Sequence, residues 1–118
     1  MTEQTDTLLD RIGNTPLIAL DRIRPKDCAR IFVKLESENP TGSMKDRMAL
    51  AMIEAAEKDG RLKPGGHVVE YTAGSTGVSL AFICAVKGYK LTIVTSDAFS
   101  SEKRNHMAAL GAEMVLVQ

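Results

Sequence analysis

The fold is decided by residues 67–117, which read HVVEYTAGSTGVSLAFICAVKGYKLTIVTSDAFSSEKRNHMAALGAEMVLV. Three short apolar runs, at 67–71, 90–95 and 113–117, have the length and composition of strands. The stretches between them, 76–86 and 100–110, have the length of helices, and the first is apolar on all sides, which predicts packing on more than one side. Because parallel neighbours need a crossover helix, this order predicts an α/β fold with a doubly wound parallel sheet.

The chain before this stretch adds one strand and one helix. The alternating apolar residues of 30–35 predict a strand with at least one buried face. After the turn at 39–42, Ser43 stands three residues before Asp46, as in a capping box, and a helix is predicted over 43–59. This helix has a methionine every fourth residue, at 44, 48 and 52, and we interpret these methionines as core residues.

Length and composition indicate a single globular unit. The chain has 118 residues, of which 44% are hydrophobic and 25% are charged. We expect residues 1–118 to form one α/β unit, with an N-terminal segment and strand at 1–40 and a helix plus βαβαβ unit at 43–118. No element follows the strand at 113–117 to cover its edge or the second face of the sheet, so we expect the sequence to be incomplete relative to its fold and to self-associate.

The charge balance argues against several classes of partner. Lys plus Arg number 15 and Asp plus Glu also 15, and only 4% of residues are aromatic, so nucleic acid is not an expected partner. The longest apolar run, 78–86, is too short to span a bilayer, so no membrane association is expected. Cys28 and Cys84 form neither a disulfide framework nor a metal motif, and we expect a cytoplasmic protein without a metal site.

Lys45 is the first candidate functional residue. It lies at the expected start of the helix after the 39–42 turn, where unbonded amides and the helix dipole disfavour a cation. A lysine in such a place is suited to act as a nucleophilic amine and to form a Schiff base with a carbonyl cofactor. Position alone is also compatible with an ordinary solvated lysine.

The second candidate is the loop before the apolar helix. It reads Thr72-Ala73-Gly74-Ser75-Thr76-Gly77, and it offers backbone amides and three hydroxyls to a carboxylate or phosphate. The loop matches neither G-x-G-x-x-G nor the P-loop, so a nucleotide-binding Rossmann domain fits the fold but not this segment. An ordinary helix N-cap with turn glycines could have the same sequence. The loop alone therefore leaves open whether it binds an anion or only caps the helix.

Together these segments resemble the N-terminal portion of the pyridoxal-phosphate enzymes typified by cysteine synthase. The resemblance covers almost the whole chain, from IGNTPL at 12–17 and KLESENP at 34–40 to the segment 103–118. It implies a fold-type II enzyme with pyridoxal 5'-phosphate as cofactor and Lys45 as the lysine that bonds to it. It also implies that the loop at 72–77 binds the substrate α-carboxylate.

The resemblance implies a β-replacement or β-elimination on a β-substituted L-amino acid, with O-acetylserine plus sulfide giving cysteine as the closest reaction. It also implies a small amino-acid substrate and a homodimer. The usual loop reads Thr-Ser-Gly-Asn-Thr-Gly, so Ser75 stands where an asparagine contacts the cofactor, and Ala73 replaces a serine. The cofactor's phosphate site in the family lies beyond position 118, so we expect the 118-residue chain alone to be inactive.

Two alternatives stay open. One is a noncatalytic truncated module that assembles with another chain through the open sheet edge. The other is a different reaction of the same family, such as that of a threonine or serine dehydratase or of threonine synthase. Both alternatives keep the expected fold and differ from the first hypothesis only in function.

Overall fold

The computed structural model describes residues 7–118. The N-terminal part contains two short 3-10 helices, Leu8–Arg11 and Glu36–Glu38, and two short strands, β1 (Leu17–Ala19) and β2 (Phe32–Lys34). The remainder consists of α1 (Lys45–Lys58), β3 (His67–Tyr71), α2 (Ser75–Lys87), β4 (Lys90–Ser96), α3 (Ser101–Ala109) and β5 (Glu113–Val117). Every helix and strand expected between 43 and 117 is confirmed, with boundaries that differ by no more than two residues.

Strands β3, β4 and β5 form a parallel sheet with β4 at its centre. Val94 lies beside Tyr71 on one side and beside Val115 on the other. The connections between the strands are α2 and α3, as the crossover argument requires. The predicted α/β class and parallel sheet are therefore confirmed, and the carboxyl ends of all three strands point to one edge.

The antiparallel pair of β1 and β2 was not expected. Ala19 pairs with Phe32 and Leu17 with Lys34, so the strand predicted at 30–35 exists but is shorter. All three residues of β2 are exposed, so the expectation of a buried face was wrong. Strand β1 has only three residues, and a long irregular connection separates it from β2. Neither a period-two pattern nor a tight-turn signal can be recognised in so short a segment.

Helix α2 occupies the centre of the core. It packs against α1 on one side and against β3, β4 and α3 on the other. Its buried residues are Gly77, Val78, Ser79, Leu80, Ala81, Ile83 and Cys84. This confirms the expectation that a helix apolar on all sides packs on more than one side.

The methionines of α1 are not core residues, which corrects the sequence interpretation. Met44, Met48 and Met52 are 58%, 40% and 46% exposed. The buried residues of α1 are Asp46, Ala49 and Ile53, which recur at a spacing of three and four and face α2. Small side chains allow the two helices to approach closely, and the methionines then lie on the far side of α1.

One face of the sheet is exposed in the described part of the chain. Val69, Tyr71 and Val115 on this face are exposed, whereas Leu91 and Ile93 on the opposite face are buried. Within residues 7–118, β5 forms one edge of the sheet, as expected, and β3 forms the other. Backbone groups and apolar side chains are thus both available on this side of the structure.

Within residues 7–118, no helix has the length and apolar character needed to cross a bilayer. Over the same range, no three acidic, histidine or cysteine side chains are grouped so that they could hold a metal ion. Cys28 is exposed, Cys84 is buried, and both are free thiols.

Candidate active site

Lys45 is the first residue of α1 and is half-buried. The preceding turn is closed by the Gly42 amide, which donates to the Asn39 carbonyl oxygen at 2.7 Å. Gly42 has a φ of 77°, a conformation that favours glycine. The Lys45 amide donates to Ser43 Oγ at 3.1 Å. The expected position of Lys45 at a helix start is therefore confirmed.

The capping box expected from Ser43 and Asp46 does not form. Asp46 is fully buried, and its carboxylate accepts hydrogen bonds from the Thr41 amide at 2.9 Å and the Thr41 hydroxyl at 2.5 Å. A third bond comes from the Ser79 hydroxyl of α2 at 2.6 Å. Three donors satisfy a buried carboxylate better than the single amide of a capping box would, which explains the difference.

Helices α1 and α2 run parallel, so their N-terminal ends lie side by side. Asp46 bonds to Ser79 near those ends. Near the other ends, Glu57 accepts hydrogen bonds from Lys87 at 2.8 Å and from Tyr89 at 2.6 Å. Because α2 begins just after β3, the N-terminal ends of both helices lie at the carboxyl edge of the sheet, where open α/β folds bind ligands.

The segment 72–77 offers backbone amides to an anion. The Val78 amide donates to the Gly74 carbonyl oxygen at 3.2 Å and is the first amide of α2 to bond back along the helix. The amides of Ser75, Thr76 and Gly77 therefore have no acceptor within the helix. They lie at the positive end of the helix dipole, which favours a carboxylate.

The same segment is held to the sheet by its first residues. The Thr72 amide donates to the Val94 carbonyl oxygen of β4 at 3.1 Å, and the Gly74 amide donates to Thr72 Oγ1 at 3.3 Å. The Ala73 side chain is exposed, so Ala73 can serve a ligand only through its backbone. The loop is thus anchored on the protein side and open on the other.

The two glycines of the loop have different surroundings. A Cβ on Gly77 would lie 2.5 Å from Thr72 Cγ2 and would also collide with Met107 Sδ of α3. A Cβ on Gly74 would meet only Lys103 Cγ, at 3.9 Å. Gly77 is therefore required for packing inside the protein, whereas the space above Gly74 is free for a ligand.

Thr95, near the end of β4, is a feature of this edge that the sequence reasoning missed. It is fully buried, and its Oγ1 meets no hydrogen-bond partner among residues 7–118. Thr95 lies on the same face of the sheet as Leu91 and Ile93. The alternation of buried residues along β4 could therefore have shown that this threonine occupies a buried position. An unpaired buried hydroxyl is unusual, because most buried hydroxyls in proteins have a hydrogen-bond partner.

A polar network joins the N-terminal segment to α1. Arg47 donates to both carboxylate oxygens of Glu36 at 2.8 and 2.9 Å, and Thr15 Oγ1 donates to the same group at 2.6 Å. Asn39 also donates to Glu36, and it accepts a bond from the Gly13 amide. Arg47 and Thr15 lower the pKa of Glu36 to about 2. The network thus joins the 12–17 and 34–40 segments next to Lys45.

The chain matches a known protein family over nearly its whole length. The family described as "Pyridoxal-phosphate dependent enzyme" matches residues 8–118. A cysteine synthase of Staphylococcus aureus is 50% identical over 111 residues, which are 94% of this chain and 36% of that protein. Cysteine synthase B of Salmonella typhimurium is 51% identical over 112 residues, which are 95% and 37% of the two chains.

Solved structures show the same relationship. A crystal structure of O-ureido-L-serine synthase superimposes with a TM-score of 0.91 at 42% identity, over 96% of this chain and 35% of that one. A hydrogen sulfide-producing enzyme from Fusobacterium nucleatum gives 0.88 at 46% identity, over 97% and 38%. The chain thus spans little more than a third of the length of these proteins, and the similarity confirms the expected fold class.

Proposed function

This chain belongs to the pyridoxal-phosphate dependent enzyme family, and we propose that Lys45 bonds the cofactor while residues 72–77 bind the carboxylate of an amino-acid substrate. The observation that carries this proposal is the parallel packing of α1 and α2. Lys45 at the start of α1 therefore lies at the same end of the helix pair as the three unbonded amides at the start of α2. The pairing of a primary amine with an anion site is what an amino-acid enzyme of this family needs.

The residues at this edge fit the cofactor's chemistry. Lys45, half-buried at the helix start, would supply the primary amine that holds an aldehyde cofactor. The Ser75 hydroxyl, on the first residue of α2, is proposed to hydrogen-bond the cofactor. The open space above Gly74 leaves room for a bound molecule to approach the amides.

For the reaction, we propose β-replacement or β-elimination on a β-substituted L-amino acid. Formation of cysteine from O-acetylserine and sulfide is the closest candidate. Support comes from relatives named cysteine synthase at about half identity. The similar structures described as O-ureido-L-serine synthase and as a hydrogen sulfide-producing enzyme support the same class of substrate.

In the proposed mechanism, Lys45 and the amides of the 72–77 loop have separate roles. Pyridoxal phosphate, when bound, supplies an electron sink for negative charge on the substrate α-carbon. Lys45 would be released when the amine of the substrate takes its place, and the freed Lys45 amine would then accept the α-proton as a general base. The amides of Ser75, Thr76 and Gly77 hold the α-carboxylate so that the Cα–H bond faces that amine, and the β-substituent then leaves.

A noncatalytic module is the second candidate function. The exposed sheet face with Val69, Tyr71 and Val115 supports it, because such a face can bind another chain. Serine or threonine dehydration and threonine synthesis are alternative reactions of the family, since Ala73 and Ser75 depart from the usual loop. A cytoplasmic homodimer is part of the proposal, since both cysteines are free thiols and the exposed face offers a surface to a second subunit.

Turnover of the protein at its native length tests the proposal. We expect cysteine from O-acetylserine and sulfide, and we expect Lys45→Ala to lower the rate by about 10³-fold or more at unchanged circular dichroism. Lys63→Ala, at an exposed lysine after α1, is the matched control and should keep its rate. Formation of a 2-oxoacid instead would favour a dehydratase, and full turnover by Lys45→Ala would contradict the proposal.

A further inference from the structure

Asp46 is the one acidic side chain of α1 that is fully buried, and it immediately follows Lys45. We propose that Asp46 is a positioning residue: through Ser79 and Thr41 it fixes how α1 is rotated, and thereby where the Lys45 amine lies relative to the 72–77 loop. The inference rests on the proposed function, because it concerns the placement of the cofactor lysine. The resemblance and the relatives' names assign no role to Asp46 or Ser79.

The carboxylate of Asp46 is held entirely by neutral donors. Its three hydrogen bonds come from the Thr41 amide, the Thr41 hydroxyl and the Ser79 hydroxyl. No ion pair to it occurs among residues 7–118. The helix dipole adds a favourable field, because an acidic group is stabilised in the first turn of a helix. Hydrogen bonds from neutral groups therefore stabilise the Asp46 carboxylate, and no lysine or arginine is needed beside it.

The geometry couples Asp46 to Lys45 directly. Successive helix residues differ in direction by about 100°, so fixing the direction of Asp46 also fixes that of Lys45. The partner Ser79 lies one turn after Ser75 on α2, and it therefore lies beneath the end that carries the free amides. A rotation of α1 would carry the amine away from the loop, and a misplacement of about 1 Å can cost about 10²-fold in rate.

Helix packing alone does not explain this arrangement. Ala49 and Ile53 already pack α1 against α2, and Glu57 ties the far ends of the same helices to Lys87 and Tyr89. A buried carboxylate is a weak source of stability, since an apolar side chain of similar size often packs at least as well. Its location beside Lys45, and not elsewhere along the helix pair, points to a role in placing that residue.

The test compares hydroxyl deletions at the two ends of the helix pair. Ser79→Ala removes one donor to Asp46, and Tyr89→Phe removes one donor to Glu57, about 16 Å farther along α1. Thr41→Val removes a second donor to Asp46, and Thr41→Ser keeps that hydroxyl. Each variant is made at native length and incubated with pyridoxal phosphate and borohydride. The rate at which Lys45 is trapped is measured by peptide mass, together with the midpoint of thermal unfolding.

We expect Ser79→Ala and Thr41→Val to slow trapping at Lys45 by about 10-fold or more relative to the other lysines. Tyr89→Phe should lower the unfolding midpoint but leave trapping at Lys45 unchanged, and Thr41→Ser should retain the original rate. Equal slowing in Tyr89→Phe, or unchanged trapping in both Ser79→Ala and Thr41→Val, overturns the inference while the proposed function stands. Trapping of the unmodified protein at a different lysine overturns both.

Discussion

Gly77 is the residue on which close packing of α2 depends. A Cβ at this position would collide with Met107 Sδ and come within 2.5 Å of Thr72 Cγ2. We expect Gly77→Ala to lower the free energy of unfolding by about 1–3 kcal/mol, because overpacking outweighs the gain in helix propensity. Urea denaturation measures this change. In a Met107→Ala background the loss should shrink, and an equal loss in both backgrounds would show that the clash is not the cause.

Glu36 should make stability depend on pH. Its pKa is lowered from the ordinary value of 4.5 to about 2, chiefly by the hydrogen bond from Arg47. A lowered folded-state pKa means that the stabilisation is present above pH 4.5 and is lost as the pH falls from 4.5 toward 2. Thermal unfolding of the protein and of Glu36→Gln should therefore differ most near neutral pH and converge in acid. A difference that does not change with pH would refute this account of the network.

Single residues differ in how readily the sequence reveals them. The placement of Lys45 and of the 72–77 loop at helix starts could be predicted because their neighbours along the chain show where helices begin. The partnership of Asp46 with Ser79 could not, because it joins residues 33 apart that meet only once α1 and α2 pack. The local capping pattern favoured a different partner for Asp46, and tertiary contacts prevailed over it.

At the scale of elements, the apolar side of α1 can be tested directly. Ile53 is buried against α2, whereas Met48 is 40% exposed. We expect Ile53→Ala to cost about 2–5 kcal/mol of unfolding free energy and Met48→Gln to change it by less than about 0.5 kcal/mol. Chemical denaturation of both variants of the 118-residue chain measures the two costs. A larger cost for Met48→Gln would restore the original interpretation of the methionines as core.

Helices and strands between 43 and 117 were predictable because each has a strong local signal. Short apolar runs indicate the strands, and glycines mark where the helices end. Because a helix must connect neighbouring parallel strands, few alternative arrangements remain. The buried side of α1 was not predictable, since methionine, alanine and isoleucine are all compatible with a core and the choice depends on how closely α2 approaches. The pairing of β1 with β2 was missed because three residues carry no recognisable period.

For the whole molecule, the exposed sheet face should control association of the 118-residue chain. Val115 lies on this face at the β5 edge of the sheet, and Val69 and Tyr71 lie on the same face at the β3 edge. We expect sedimentation to become faster with concentration, because covering these side chains with a second copy removes them from water. Val115→Lys should weaken association, while Ala108→Lys on the exposed side of α3 should not. A monomer at every concentration would contradict this expectation.

The parallel alignment of α1 and α2 brings Lys45 and the 72–77 loop to the same end of the helix pair. The Asp46 and Glu57 bonds define that alignment at its two ends. It puts Lys45 and the free amides of the loop at the carboxyl edge of the sheet. We therefore propose that Lys45, among all lysines of the chain, is the one that bonds pyridoxal phosphate.

Borohydride reduction of the protein at native length with pyridoxal phosphate, followed by peptide mass mapping, tests this assignment of Lys45. The reduced bond is stable, so the modified lysine can be read from the fragment masses. We expect the added cofactor mass on the peptide that contains Lys45, and its loss in Lys45→Ala. Cofactor mass on Lys34 or Lys63 in place of Lys45 would show that the assignment is wrong.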